Sequence, residues 1–209
     1  DVLYGNTKSG LIDEMVYYEP ELIMDGDKIY KGMGSINELR KRNIGLTKCK
    51  ENGCTLFMSI DCDEVYDPTQ LKDAYKEMIG GKYDATFCQM KTYYNQPTLE
   101  LTPPEGYYVP LFYKLKADTI LQANHSNSSY SFPFMVDGTR QTPIETYMVF
   151  PRSQIEMYHY AYVRNNIRSK IENSSARTDK IMSEAVIHYF ENFQKGKPAI
   201  MIGLQRYEL

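Results

Sequence analysis

Cys54 to Ile60 is a short, almost wholly apolar run that ends abruptly in Asp61-Cys62-Asp63-Glu64, three carboxylates within four residues. A run of this length and composition predicts a strand buried on both faces of a mixed sheet. The acidic cluster then falls at the strand's carboxyl end. Three clustered carboxylates repel one another unless something positive sits beside them. On an extended chain, residues two apart point to the same side, so Asp61 and Asp63 can converge on one ion while Cys62 faces the other way. Oxygen ligands favour magnesium, manganese or calcium. A bare Asp-x-Asp is also an ordinary solvated acidic turn after a strand.

The flanking residues predict an α/β arrangement. Asp67-Pro68-Thr69-Gln70 supplies a cap, a proline at the first helical position and a glutamine three residues after the cap. Leu71, Ala74, Tyr75 and Met78 follow at helical spacing, and Gly80-Gly81 stops the helix. Tyr83 to Met90 is the next strand, so strand, helix and strand alternate as a parallel unit requires. Ligands bind beyond the carboxyl ends of such strands, where Asp61 and Asp63 lie. Upstream, Ser35-Ile36-Asn37-Glu38 has capping-box spacing, and Ile36, Leu39, Asn43, Leu46 and Lys50 share a helix face that ends at Gly53.

A chain of 209 residues is long enough to bury a sizeable core and is most simply one domain. Its 24 Lys+Arg against 27 Asp+Glu leave a formal charge of -3, which offers no global attraction for nucleic acid or acidic membranes. No apolar run approaches the roughly 20 residues that span a bilayer. The four cysteines contain no Cys-x-x-Cys pair and there are only three histidines, so reduced thiols in a cytoplasmic protein are expected rather than a zinc site. Asn124, Asn127 and Asn173 begin glycosylation-type triplets that arise by chance at this frequency. Nineteen tyrosines and no tryptophan stand out, clustered at Tyr93-Tyr94, Tyr107-Tyr108 and Tyr158 to Tyr162. Their flat faces and hydroxyls suit sugars, and equally suit an amphipathic packing surface.

The remaining segments fill in the outline. Val2 to Tyr4 and Met15 to Tyr18 predict short strands, and Leu22 to Gly34 a loop. Lys91 to Pro151, with six prolines among its tyrosines before Pro151 itself, predicts short strands and long loops of the kind that shape a substrate site. Ile155 to Val163 predicts a strand carrying His159, and Asn165 to Ser174 and Asp179 to Lys195 predict helices. The last presents Met182, Val186, Tyr189 and Phe193 on one face.

With Arg42-Asn43-Ile44-Gly45 on a helix, Gly53 at its end, a strand to Ile60 and then Asp61-Cys62-Asp63-Glu64, the chain resembles family-two glycosyltransferases of the GT-A fold. The resemblance covers residues 34–90 and extends to the His159 region. It implies a Rossmann-like mixed central sheet flanked by helices, with further helices at the C-terminus. Residues 34–90 would be the nucleotide-sugar and metal half, 91–163 the acceptor half and 164–209 a helical C-terminal part of a single domain, 1–209. It implies that Asp61 and Asp63 hold Mn2+ or Mg2+ on the diphosphate of a nucleotide-sugar, a UDP-sugar being the first choice. Arg42 and Asn43 would join Asp61 on the nucleotide. The Pro-Thr-Tyr-Asn-like loop with which family members touch the base has no counterpart here, so either that portion lies upstream of Asp1 or Val2 to Tyr4 is a divergent version of it.

Tyr158-His159-Tyr160-Ala161-Tyr162-Val163-Arg164 looks like the place where GT-A enzymes set a histidine on the metal, followed by basic residues near the phosphates. This implies His159 as a ligand and Arg164, Arg168 and Lys170 as phosphate partners. Inverting members deprotonate the acceptor hydroxyl with a carboxylate, a role implied for Asp137 in Met135-Val136-Asp137-Gly138-Thr139-Arg140, with Glu145 in reserve. The expected reaction is metal-dependent transfer of a hexosyl group to a hydroxyl of a glycan or glycoprotein. Two other readings remain open. Asp61-Cys62-Asp63-Glu64-Val65 also fits the nucleophile loop of haloacid-dehalogenase-like phosphatases, with Asp61 attacking phosphorus, although no Gly-Asp-x-x-x-Asp follows. A sugar-binding module that keeps the fold and lacks turnover is the other.

Overall fold

The computed structural model describes residues 12–20, 22–25, 28–31, 34–122, 135–172, 179–197, 199–200 and 206–207. Val2 to Tyr4 and the three glycosylation-type triplets lie outside the described residues. The described chain is mixed α/β. Its centre is a seven-stranded sheet made of β3 (Leu56–Phe57), β4 (Glu64–Tyr66), β5 (Ala85–Tyr94), β6 (Tyr107–Lys114), β7 (Met135–Val136), β8 (Tyr147–Val149) and β9 (Glu156–Tyr162). Two hairpins stand apart from it: β1 (Leu22–Asp25) with β2 (Lys28–Lys31), and β10 (Ala199–Ile200) with β11 (Arg206–Tyr207). The four helices are α1 (Gly34–Glu51), α2 (Pro68–Gly80), α3 (Ile167–Glu172) and α4 (Lys180–Glu191).

The path through the sheet is β3-β6-β5-β9-β4, with β7 beside β6 and β8 beside β5. β6 is antiparallel to both β3 and β5, so β3 and β5 run the same way without touching. The parallel pair predicted around α2 is therefore split by a strand that arrives later in the chain. β5 finds its parallel neighbours in β8 and β9 instead. Within the stretch expected as a loop, Leu22 to Gly34, the described residues Leu22–Asp25 and Lys28–Lys31 pair as antiparallel strands, and Met15 to Tyr18 has no strand.

Local signals place α2 where expected. Asp67 caps it by accepting from the backbone N–H of Thr69 and Gln70, both at 2.9 Å, and Pro68 opens it. Ala74 and Met78 are buried beneath it, while Tyr75 leaves an edge-on contact with Phe112 at 6.0 Å. α1 begins at Gly34, so Ser35 sits inside it rather than capping it, and it ends beside Gly53 in the left-handed region at φ 71°. Ile36 of its predicted inner face is exposed, and the rest of that face docks on the segment after β6. Leu46 is buried, Asn43 exchanges hydrogen bonds with the backbone of Leu121, and Lys50 donates to the carbonyls of Ala117 and Thr119.

Adjacent residues of β5 separate the two layers. Phe87 packs with Leu46, Phe57 and Leu121, whereas Cys88 packs with Ala74, Met78 and Met157. Neighbouring strand residues point to opposite faces, so α1 and α2 cover opposite sides of the sheet. A third cluster joins Tyr94, Ala161 and Tyr162 at the far end of β5 and β9 to Ile167, Ile171, Val186 and Phe190 of α3 and α4. On α4 the buried face is Met182, Val186, Ile187 and Phe190.

Candidate functional site

The acidic segment is a turn, not an extended strand end. β3 stops at Phe57, and the backbone closes a turn in which Glu64 N–H donates to Asp61 C=O at 3.1 Å. Asp61 N–H in turn donates to the Glu64 carboxylate at 3.0 Å. Because the chain curls here, Asp61 and Asp63 do not share a strand face. Each meets its own set of cations.

Asp61 faces two buried guanidiniums. Arg42, on α1, donates to its Oδ2 at 2.7 Å, and Arg140 donates to the same oxygen at 2.8 Å. Burial pushes the Asp61 carboxyl up, but Arg140 and Arg42 outweigh it and hold it below the usual range. Arg140 is only 1 % exposed. It donates from both terminal nitrogens to Glu64, at 2.9 Å to Oε2 and also to Oε1. Burial outweighs that pairing at Glu64 and raises its carboxyl. For Arg140 the balance is opposite: burial acts to lower it, and Glu64, Asp137 and Asp61 raise it further above its ordinary range.

Asp137 closes the cluster. Its Oδ1 accepts from Thr139 N–H at 2.8 Å and from the Thr139 hydroxyl at 2.7 Å, a turn that presents Arg140 inward. Its Oδ2 lies 2.9 Å from Arg140 Nε, an ionic contact without hydrogen-bond alignment, and 3.6 Å from Arg42. Arg42 also donates to the Thr139 hydroxyl. Arg42 also lies 3.5 Å from Glu38 on its own helix, so two guanidiniums serve four carboxylates. The positive partner that the acidic cluster requires is supplied by the chain itself.

Asp63 lies against a different group. Arg164 approaches it at 3.3 Å and Lys170 at 3.8 Å, and Asp63 C=O accepts from Tyr160 N–H at 2.8 Å. β9 brings in Tyr160 and sets His159 opposite Glu64 in the β4 and β9 register, while Arg164 comes from the link after β9 and Lys170 from α3. His159 Nδ1 is buried with no hydrogen-bond partner among the described residues. Burial holds the His159 ring down to about 4 despite the pull of Asp63, so the imidazole is neutral at pH 7. Lys170 is lowered mainly by burial, against the pull of Asp63.

A divalent cation can be tested against this donor set. Among the described residues no three His, Cys, Asp or Glu side chains stand together as a metal site. Asp61 is occupied by arginines. Asp63 and the orphaned, neutral His159 nitrogen remain, one carboxylate and one imidazole. Two protein donors suit a cation that fills its shell with phosphate oxygens and water. An imidazole among them favours manganese over magnesium. Asp63 is itself paired with Arg164 and Lys170, so these two donors fit the group only where both cations turn from the carboxylate to the phosphates.

The other predicted residues lie apart. Arg168 forms a two-pronged exposed pair with Glu191, at 2.7 and 2.8 Å, tying α3 to α4. Asn43 is engaged with Leu121. Glu145 is exposed, and its N–H donates to Asp84 at 3.0 Å beside the start of β8. Tyr94 and Tyr162 stack inside the core, while Tyr93 and Tyr160 stack on the half-buried face at 4.7 Å with rings 6° from parallel. Glu64, Thr139 and Arg140 belong to the cluster without having been singled out. One signal could have found Arg140: buried charges must be paired, and it follows the candidate base at i+3.

No family model, curated protein or solved structure matches the chain.

Proposed function

We infer that this is a metal-dependent glycosyltransferase domain that moves a sugar from a nucleoside-diphosphate sugar to a hydroxyl of a glycan or glycoprotein, with inversion. The observation that carries it is the meeting of Arg164 and Lys170 on the single carboxylate of Asp63, beside the unpartnered His159 nitrogen. Two cations against one anion leave a positive excess, which suits a diphosphate. Asp63 and His159 would hold manganese or magnesium, which when bound would neutralise charge growing on the leaving diphosphate. Arg164 and Lys170 would orient the phosphates. Arg42 and Arg140 fix Asp61, which would face the nucleotide rather than the metal. The GT-A architecture and a UDP-sugar donor belong to the same proposal.

Asp137 is the first candidate for the base that takes the acceptor proton. Both its oxygens are already engaged, so accepting a proton requires Arg42 or Arg140 to move. Glu105 is a second candidate. It accepts from the Thr92 hydroxyl, and burial raises its carboxyl despite Thr92 and Arg152. A raised carboxyl is the property a general base needs.

Thermal shift with manganese and UDP, GDP or dTDP tests the reading. Metal and nucleotide together should raise the melting temperature by more than the sum of their separate shifts, as linkage requires for a shared site. Strictly additive shifts would place them apart and sink the proposal.

A further inference from the structure

A cleft of about 410 Å³ opens beside Arg164, lined also by Asn95, Asn165, Asn166, Ile167, Phe190 and Glu191. That volume is within the range of small-molecule sites, roughly 300–1,000 Å³. The end of β5, the link from β9 to α3, and α4 build it together.

Its chemistry is neutral. Arg164 is committed to Ala161 C=O at 2.6 Å and to Asp63, and Glu191 to Arg168. The groups left to bind a ligand are amides. Asn166 uses its oxygen on Ser169 N–H at 3.0 Å and keeps its NH2, while the side chains of Asn95 and Asn165 have no hydrogen bond to another described residue. Asn95 is held in the left-handed region at φ 60°, with its N–H on Tyr162 C=O at 2.9 Å. Phe190 and Ile167 reach the cleft only at their edges, since both are almost fully buried in the core beneath it. Asn95 and Asn165 each offer donors and an acceptor side by side and Asn166 adds further donors, the match for neighbouring hydroxyls. Within the cleft the Glu191 carboxylate disfavours an anion, and the Arg164 guanidinium is turned to Ala161 C=O and Asp63.

We propose that this cleft binds a neutral, hydroxyl-rich ring, a sugar unit of the acceptor. The assignment rests on the glycosyl-transfer reading for its biological sense. Arg164 then joins two subsites, its guanidinium on Asp63 toward the donor and its flank in the acceptor cleft.

The test is saturation-transfer NMR on the full chain with methyl α-glucopyranoside, methyl α-galactopyranoside and methyl α-mannopyranoside. At least one should give a signal, and Asn95→Gly with Asn165→Ala should weaken its binding at least about fivefold, the loss expected for one neutral hydrogen bond. Glycine preserves the left-handed backbone at position 95. Should the double variant fail to fold, Asn165→Ala alone carries the test, since that side chain is exposed. Tyr160→Ala probes the stacked tyrosines, and binding should survive it. Absence of signal from all three sugars, or binding that persists in the asparagine variants, overturns the cleft. So does loss only in Tyr160→Ala. The shift with manganese and UDP is read separately on the same wild-type sample. Its failure sinks the donor reading, whereas the sugar signal alone decides the cleft.

Discussion

Arg140 grips Glu64 with both terminal nitrogens across 76 residues of sequence, and both side chains are almost fully buried. The pair fixes the 61–64 turn to the loop that carries Asp137. Removing the cation from so enclosed a site leaves an uncompensated carboxylate. Arg140→Leu should therefore cost about 3–5 kcal/mol in urea unfolding. Glu64→Leu added to it should restore part of that loss, since a hydrophobic pair avoids the desolvation penalty. A double variant no more stable than Arg140→Leu would mean that the turn itself needs the ions.

Asp63 should behave in the opposite manner. Its partners Arg164 and Lys170 are partly exposed, and pairs of that kind contribute about 0–1 kcal/mol. Asp63→Ala should leave the melting temperature of the ligand-free protein nearly unchanged and abolish the excess shift from manganese with nucleoside diphosphate. A collapse of the ligand-free variant would make the carboxylate structural.

Glu105 gives the fold a pH signature. Burial raises its carboxyl in the folded chain, so between the unfolded value near 4.5 and the folded one the native state holds more protons. Its contribution is present below the unfolded value and is lost as pH rises through the folded one. Glu105→Gln should flatten that part of the stability profile while the amide oxygen still accepts from Thr92. A wild-type profile that rises steadily there, unchanged by the variant, would contradict the assignment.

Elements with local instructions were legible in the sequence. Asp67, Pro68 and Gly80-Gly81 carry their own start and stop, and α2 lies where they put it. β3 shows the limit. Cys54 to Ile60 has strand composition throughout, yet only Leu56 and Phe57 pair, because their partner β6 comes from fifty residues later and the chain then bends into the turn. Insertion of β6 between β3 and β5 is likewise a tertiary choice that periodicity does not encode. In the site, the sequence showed that Asp61 to Glu64 needed positive charge. It did not show that Arg42 and Arg140 would provide it at Asp61, since the loop bearing Arg140 has no regular spacing to read.

The choice between Asp137 and Glu105 decides how transfer proceeds. A base in an inverting displacement must reach the attacking hydroxyl, about 2.6–3.2 Å between heavy atoms, on the face away from the departing diphosphate. Asp63 would be on the leaving-group side, and Asp61 is held by two guanidiniums. Asp137→Asn keeps the oxygen that accepts from Thr139 and removes the charge facing Arg140 and Arg42, so nucleotide binding should persist while transfer falls roughly 100-fold or more. Glu105→Gln should leave transfer within a few-fold if Asp137 is the base. The converse pattern would move the base to Glu105. If transfer survives both substitutions and the product retains the anomeric configuration, neither carboxylate deprotonates the acceptor and the inverting mechanism falls with them. Transfer measured on one donor and acceptor pair, with the product's anomeric protons read by NMR, separates the three outcomes.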